Sequence, residues 1–236
     1  MTKQTTQLSY ERQTYRSVNP LARFAHGSRF GLSQSLASGN LPSGATLIDY
    51  GAGDGRFLRD LSQMRSDAEL YGLEPYMKPP ADGDRGFTRL TALEQAQGRE
   101  YGVITCFEVL EHLEPADTDI FVDFVQQSLA PDGYLIVSVP IMYGPVLVPK
   151  ALNAKYVKKS DWSYSLTELI RGVLARPVER DPGNLYLNHK GYDWRKTRDR
   201  LNMHFEEAEC RFSPFSSLWW GFNSQWFGVF RKPRAQ

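Results

Sequence analysis

The chain has 236 residues, 41% of them hydrophobic, and 28 basic against 27 acidic side chains leave a net charge of +1. This is apolar material enough for the core of one generous domain, so disorder is not the default, and balanced charge argues against nucleic acid or an acidic membrane as partner. Two distant cysteines (Cys106, Cys210), no 18-residue apolar run and a polar start from Met1 to Arg16 exclude a disulfide scaffold and make a membrane span or secretion signal unexpected; the expected compartment is the cytoplasm.

Residues 1–44 read as an N-terminal helical arm. Pro20 suits the first turn of a helix, and Leu21, Phe24, Phe30 and Leu32 could pack it over a ligand site at the mouth of the sheet, the alternative being a helix that merely covers the sheet. Thr46 to Ile48 is a short apolar strand that ends in Asp49 and runs into Gly51, Gly53 and Gly55; an amphipathic helix comes next, from Arg56 to about Met64. Leu70 to Leu73 reads as a second strand ending at Glu74, and Pro75 to Asp84 as loop. A weak third strand falls near Gly86 to Leu90 and a fourth at Tyr101 to Phe107. Asp117 to Leu129 reads as a helix with Ile120, Phe121, Phe124 and Val125 on one face. Pro131-Asp132-Gly133 makes a turn before a fifth strand, Tyr134 to Val139. Residues 141–200 are too long for a structureless loop, so they read as a lid or substrate insert with a helix near Ser163 to Ala175. His204 to Phe212 and Ser224 to Phe230 are two strands that close residues 201–236 as an antiparallel hairpin. The alternation implies an α/β fold with right-handed crossovers and a seven-stranded, mostly parallel sheet, in one domain.

The turn after the first strand carries the chemistry. Gly51 and Gly53 can take φ > 0 and let a ligand lie against bare backbone, while the next helix offers free N–H groups. A dinucleotide site wants G-x-G-x-x-G, and here Arg56 holds the sixth position, so a ligand without pyrophosphate fits better.

Taken in order, Leu47 to Gly55, Glu74, Tyr101 to Leu113 with its V-L-E-H-L ending, and Leu129 to Pro140 resemble the motifs of the class I S-adenosylmethionine-dependent methyltransferases. Two positions depart from the pattern, Gly102 where an Asp is usual and Asp132 where a Gly is common. The resemblance implies a Rossmann-like fold with S-adenosylmethionine as donor. It places the methionine part of the donor over Gly51, Ala52 and Gly53, its ammonium near Asp49, and its ribose hydroxyls on Glu74 beside Pro75. Thr91 and Ala92 would line the adenine, Phe107 and Glu108 would face the sulfonium, and Tyr15, Arg23 or Arg29 could meet the carboxylate. Asp49 could equally cap the turn, and Phe107 could equally be core.

A hydroxyl acceptor needs a base or a metal as well as positioning. If Glu108-Val109-Leu110-Glu111-His112 is helical, Glu108, Glu111 and His112 share one side. His112 is the simplest general base, histidine being the side chain that titrates nearest neutrality, with Glu108 and His189 as further catalytic candidates. E-x-x-E-H with a later His189 resembles the small-RNA 2′-O-methyltransferases, and its first half resembles the ubiquinone-pathway O-methyltransferases. In the former, matching residues hold a divalent metal, so Glu108, Glu111, His112 and His189 would suit Mg²⁺ or Mn²⁺. Many V-L-E-H-L methyltransferases bind no metal, and no residue is assigned to one here. His26 and His204 read as structural or surface residues. Lys150, Lys155, Lys158 and Lys159 near Tyr156, Trp162 and Tyr164 read as a solvated face or as contacts for an anionic acceptor, a phosphate-bearing glycan or a membrane surface, and Trp219, Trp220, Phe222 and Trp226 as packing on the sheet edge or a homodimer contact. The expected activity is O-methylation of a small-molecule or saccharide hydroxyl. The rivals are an RNA 2′-O-methyltransferase and a non-catalytic protein that binds the donor.

Overall fold

A computed structural model describes residues 20–79, 83–153, 164–180 and 189–233. Tyr15, Lys155, Tyr156, Lys158, Lys159, Trp162 and the side chain of Leu21 lie outside the described residues. Helix α1 (Pro20–Asn40) leads into β1 (Thr46–Tyr50), α2 (Arg56–Met64), β2 (Glu69–Leu73), β3 (Thr88–Leu90) and β4 (Tyr101–Phe107). A 3₁₀ turn (Leu110–His112) precedes α3 (Pro115–Ser128) and β5 (Leu129–Pro140). Helices α4 (Leu147–Leu152), α5 (Leu166–Val173) and α6 (Trp194–Asn202) stand before the hairpin of β6 (Glu206–Ser213) and β7 (Gln225–Arg231). The sheet order is β3-β2-β1-β4-β5-β7-β6, parallel up to β5 and antiparallel in β7 and β6.

The central strands are buried on both faces and alternate with period 2. Leu47, Val103 and Ile136 point to one layer, where they meet Leu36, Ala37 and Leu41 of α1 and Phe57, Leu58 and Leu61 of α2. Their neighbours Ile48, Ile104, Leu135 and Val137 point to the other, against Phe121, Val122, Phe124 and Val125 of α3 and Leu201 of α6. Helices on both faces leave the carboxyl ends of β1, β2, β4 and β5 to form one open rim, the usual ligand position in such sheets.

Four expectations need correction. Ile120 is half exposed, because it sits on the rim side of α3 while Val122 takes its place in the core. The Pro131–Gly133 turn is a bulge inside a longer strand: Tyr101 pairs with Leu129 but Val103 with Tyr134, so β5 starts at Leu129. Trp226 is fully buried, yet Trp219 and Phe222 remain half exposed in the β6–β7 connection. Lys150 is no surface lysine: its ammonium reaches inward to the Ile141 carbonyl at 2.7 Å and the Ser224 carbonyl at 3.2 Å. Burial lowers its pKa to about 8.

Candidate active site

A cavity of about 710 Å³ opens on the carboxyl rim, within the range of small-molecule sites. One wall is the β1–α2 turn. Tyr50 hands over to Gly51 and Ala52, whose N–H groups both donate to the Leu73 carbonyl at 2.9 and 3.0 Å, stitching the end of β1 to the end of β2. Gly51 and Gly53 take φ of +83° and +54°, a region that only glycine enters freely. Their bareness serves different ends. A Cβ on Gly51 would lie 2.4 Å from Val109 Cγ2, whereas one on Gly53 would meet nothing nearer than Met77 Sδ at 3.9 Å. Gly51 is bare for packing and Gly53 leaves open space in the cavity.

Glu74 ends β2 almost fully buried. Its carboxylate accepts the Gly53 N–H at 2.9 Å, the Tyr76 N–H at 2.9 Å and the Met77 N–H at 3.0 Å. A carboxylate has about four acceptor positions, so one remains for a ligand. Asp49, at the end of β1, accepts from Thr105 Oγ1 at 2.7 Å. Burial raises its pKa to about 7 against that hydrogen bond, with the negative charge of Glu74 adding to the rise.

The inner end is built from the segment after β4 and from α1. Glu108 takes φ +58°, strained for a non-glycine residue, and its N–H bonds the Ser138 carbonyl at 2.9 Å. The helix expected through Glu108 to His112 is therefore only a 3₁₀ turn, and the three side chains do not act as one set. Glu108 pairs with Arg29 of α1 at 2.6 Å and accepts from Gln225 of β7. Glu111 and His112 instead meet His189. The His112 and His189 rings lie 4.9 Å apart between centroids, and one ligand atom each from Glu111, His112 and His189 falls within 4.8 Å of the others.

This end contains buried polar atoms whose hydrogen-bonding capacity is unused among the described residues. Both Glu111 oxygens, Ser138 Oγ and His189 Nδ1 are buried without a hydrogen bond among the described residues. Buried groups of this kind cost about 1–3 kcal/mol each, so natural structures keep them chiefly where a ligand, water or ion completes them. Burial, with the charge of Glu108 beside it, pushes the Glu111 carboxyl well above its usual range. Burial and the neighbouring His112 push His189 down to about 3, which keeps its imidazole neutral.

A family model described as a methyltransferase domain matches residues 27–173. The chain belongs to that family. It is a class I S-adenosylmethionine-dependent methyltransferase, with the strand order and closing hairpin of that fold. No curated protein matches the sequence. In structure the methyltransferase is similar to the N-methyltransferase NodS from Bradyrhizobium japonicum, with 16% identity over 92% of this chain and 99% of that one and a TM-score of 0.52. It is also similar to the methyltransferase domain of bacterial CtHen1, with 16% identity, coverage of 88% and 98% and a TM-score of 0.53. A third is the 1,6-didemethyltoxoflavin-N1-methyltransferase from Burkholderia thailandensis, with 14% identity, coverage of 87% and 77% and a TM-score of 0.54. Identities this low speak for the fold alone.

The methyltransferase's cavity suits its cationic donor. Among the described residues its wall has six carboxyl groups (Asp49, Asp54, Glu74, Glu108, Glu111, Asp117), of which burial pushes Asp49 and Glu111 toward the protonated form, against two arginines and three histidines, with open space over Gly53. Of the expected site residues, Asp49, Gly51, Ala52, Gly53, Glu74, Pro75, Phe107, Glu108, His112 and His189 line it. Phe107 is both wall and core, edge-on to Phe57 at 5.0 Å. Thr91 and Ala92 stand outside the described wall because Gln95 Oε1 takes both their N–H groups; Leu93 is the lining residue of that loop. His26 lines the cavity instead of lying at the surface, on one stripe of α1 with Arg29, Phe30 and Ser33, and Arg23 is exposed. Ser138, Gln225 and Arg29's bond to Glu108 are not legible in the sequence motifs. The spacing of 26, 29, 30 and 33 on one helical face is the available signal for α1; Ser138 and Gln225 have none.

Proposed function

We propose that this methyltransferase transfers the methyl group to a hydroxyl of a small molecule or saccharide, with His112 as general base. In this reading the donor's methionine part lies over Gly53, its ammonium near Asp49, and its ribose on the free acceptor position of Glu74. Bound there, it supplies a methyl group on a sulfonium, open to in-line attack. The acceptor occupies the inner end. Its O–H donates to His112, which takes the proton as the new C–O bond forms and the C–S bond breaks. His189, kept neutral by burial, and Ser138 hold the neighbouring polar group of the acceptor. Glu108, fixed by Arg29 and Gln225, carries its negative charge toward the cationic donor.

The observation that carries the reading is that buried atoms of Glu111, Ser138 and His189, beside His112, make no hydrogen bond among the described residues. An apolar acceptor would leave them unsatisfied. Nucleic acid is disfavoured by the balanced charge of the chain, 28 basic against 27 acidic side chains. Arg195, Arg198, Arg200, Arg211 and Arg231 each hold an acidic partner, so they make a poor phosphate track.

A second reading places a divalent cation at Glu111, His112 and His189, favoured by their mutual proximity and by the same buried atoms. Such an ion would polarise an acceptor oxygen. Glu108, committed to Arg29, would not be among its ligands. The deciding experiment incubates the protein with methyl-labelled S-adenosylmethionine and separate phenol, catechol, monosaccharide and single-stranded RNA acceptors, with and without EDTA. The proposal expects a labelled methyl ether on a small hydroxyl acceptor that EDTA does not abolish. Loss with EDTA and recovery with Mn²⁺ would select the second reading, and label on RNA alone would overturn the first.

A further inference from the structure

Strand β3 sends one side chain to the β1–α2 turn. Arg89, on β3, extends a nearly buried guanidinium toward the donor turn and donates from Nη1 to the Gly53 carbonyl at 3.0 Å. Its other face is forked onto Asp84, with Nε to Oδ2 at 2.6 Å and Nη2 to Oδ1 at 2.9 Å. The Gly53 N–H is held from the opposite side by Glu74 Oε2 at 2.9 Å. One residue of the turn is thus gripped through both its N–H and its C=O, by Glu74 just after β2 and by Arg89 of β3. Phe87, two residues before Arg89, fills the Cβ position of the next glycine: a Cβ on Gly55 would lie 2.4 Å from Phe87 Cζ. The Arg89 guanidinium lies 5.7 Å from the centroid of that same ring.

We propose that Arg89 is a positioning residue for the donor, acting with Asp84 to hold the Gly53 peptide in its ligand-ready path before the donor arrives. The inference rests on the seating of the donor over Gly53. Arg89 itself touches no reacting atom. A bidentate guanidinium fixed by a carboxylate has one planar orientation, which is what a clamp needs and what a lysine ammonium lacks. Glycine at φ +54° has no side chain to restrain it, and ordering it on binding would weaken affinity.

The test measures S-adenosylhomocysteine affinity by calorimetry on the full chain, with Arg89→Met, Arg89→Lys and Asp84→Asn, alongside amide hydrogen exchange at Gly53. Arg89→Met should raise Kd by about tenfold or more and expose the Gly53 amide to exchange in the unliganded protein. Arg89→Lys should fall between it and the unsubstituted chain. A role confined to stability would lower the melting temperature but leave Kd and Gly53 protection unchanged in the folded variant, and that result overturns the proposal. Should Arg89→Met fail to fold, Asp84→Asn decides: a several-fold rise in Kd supports the clamp and an unchanged Kd overturns it. No binding by the unsubstituted chain would instead bring down the donor seat, and the clamp with it.

Discussion

Asp49 and His112 both line the cavity and should respond to different probes. Asp49 keeps a proton up to about pH 7 in the unliganded fold, against an ordinary value of 3.8. The folded chain therefore binds a proton that the unfolded chain has released, so this group's contribution to stability is complete below pH 3.8 and is lost as pH rises through about 7. An ammonium beside Asp49 favours its carboxylate, so S-adenosylhomocysteine should bind more tightly as pH rises from about 6 to about 8. Asp49→Asn should flatten that dependence in calorimetric titrations; an unchanged profile would detach Asp49 from the ligand. His112→Ala should lower turnover by about 10²–10⁴-fold with donor affinity within about twofold, as expected for a general base. Full turnover would leave His112 structural. Glu74→Ala removes a carboxylate that organises three backbone N–H groups, so it should weaken donor affinity by more than about 1 kcal/mol and also lower the melting temperature. Glu74→Gln, which keeps one acceptor oxygen, should recover most of the stability and less of the affinity.

At the scale of elements, local pattern is legible and convergence is not. The run Arg56–Met64 is the observed α2 and Tyr101–Phe107 the observed β4, because glycines and loop residues punctuate both ends and periodicity fills the middle. The β5 bulge reads as a turn because Pro131, Asp132 and Gly133 carry turn chemistry whether or not the strand resumes on the same ladder. The E-x-x-E-H run has helical spacing, but the Glu108 N–H is drawn to the Ser138 carbonyl of β5, and that tertiary bond sends Glu108 toward α1. Lys150 looks like part of a basic surface, since nothing local announces that carbonyls 141 and 224 converge on it. The same convergence gives α1 a function as well as a packing role. Arg29→Met should leave Glu108 without its cation at a cost of about 1–3 kcal/mol, visible as a lower melting temperature and faster amide exchange in α1. Unchanged exchange in α1 would show that Leu36, Ala37 and Leu41 hold the helix without the ion pair.

For the whole molecule, the parallel sheet and its helical layers put Asp49, Gly51 to Gly53, Glu74 and Pro75 on one rim, while the inner end of the cavity draws on pieces from α1, the turn after β4, β5 and residue 189. This asymmetry explains why a methyltransferase is readable from motifs and its acceptor is not: the motif residues sit on contiguous turns, and the inner end of the cavity is built from single residues of distant segments. No helix among the described residues is long and apolar enough to cross a membrane. The most direct measurement is calorimetric titration of the full chain with S-adenosylhomocysteine, beside a melting curve at saturating ligand. One site per chain, weakened in both Asp49→Asn and Glu74→Gln, and a melting temperature that climbs with ligand concentration would agree with the account. A folded chain that gives no binding heat and no thermal shift would contradict it.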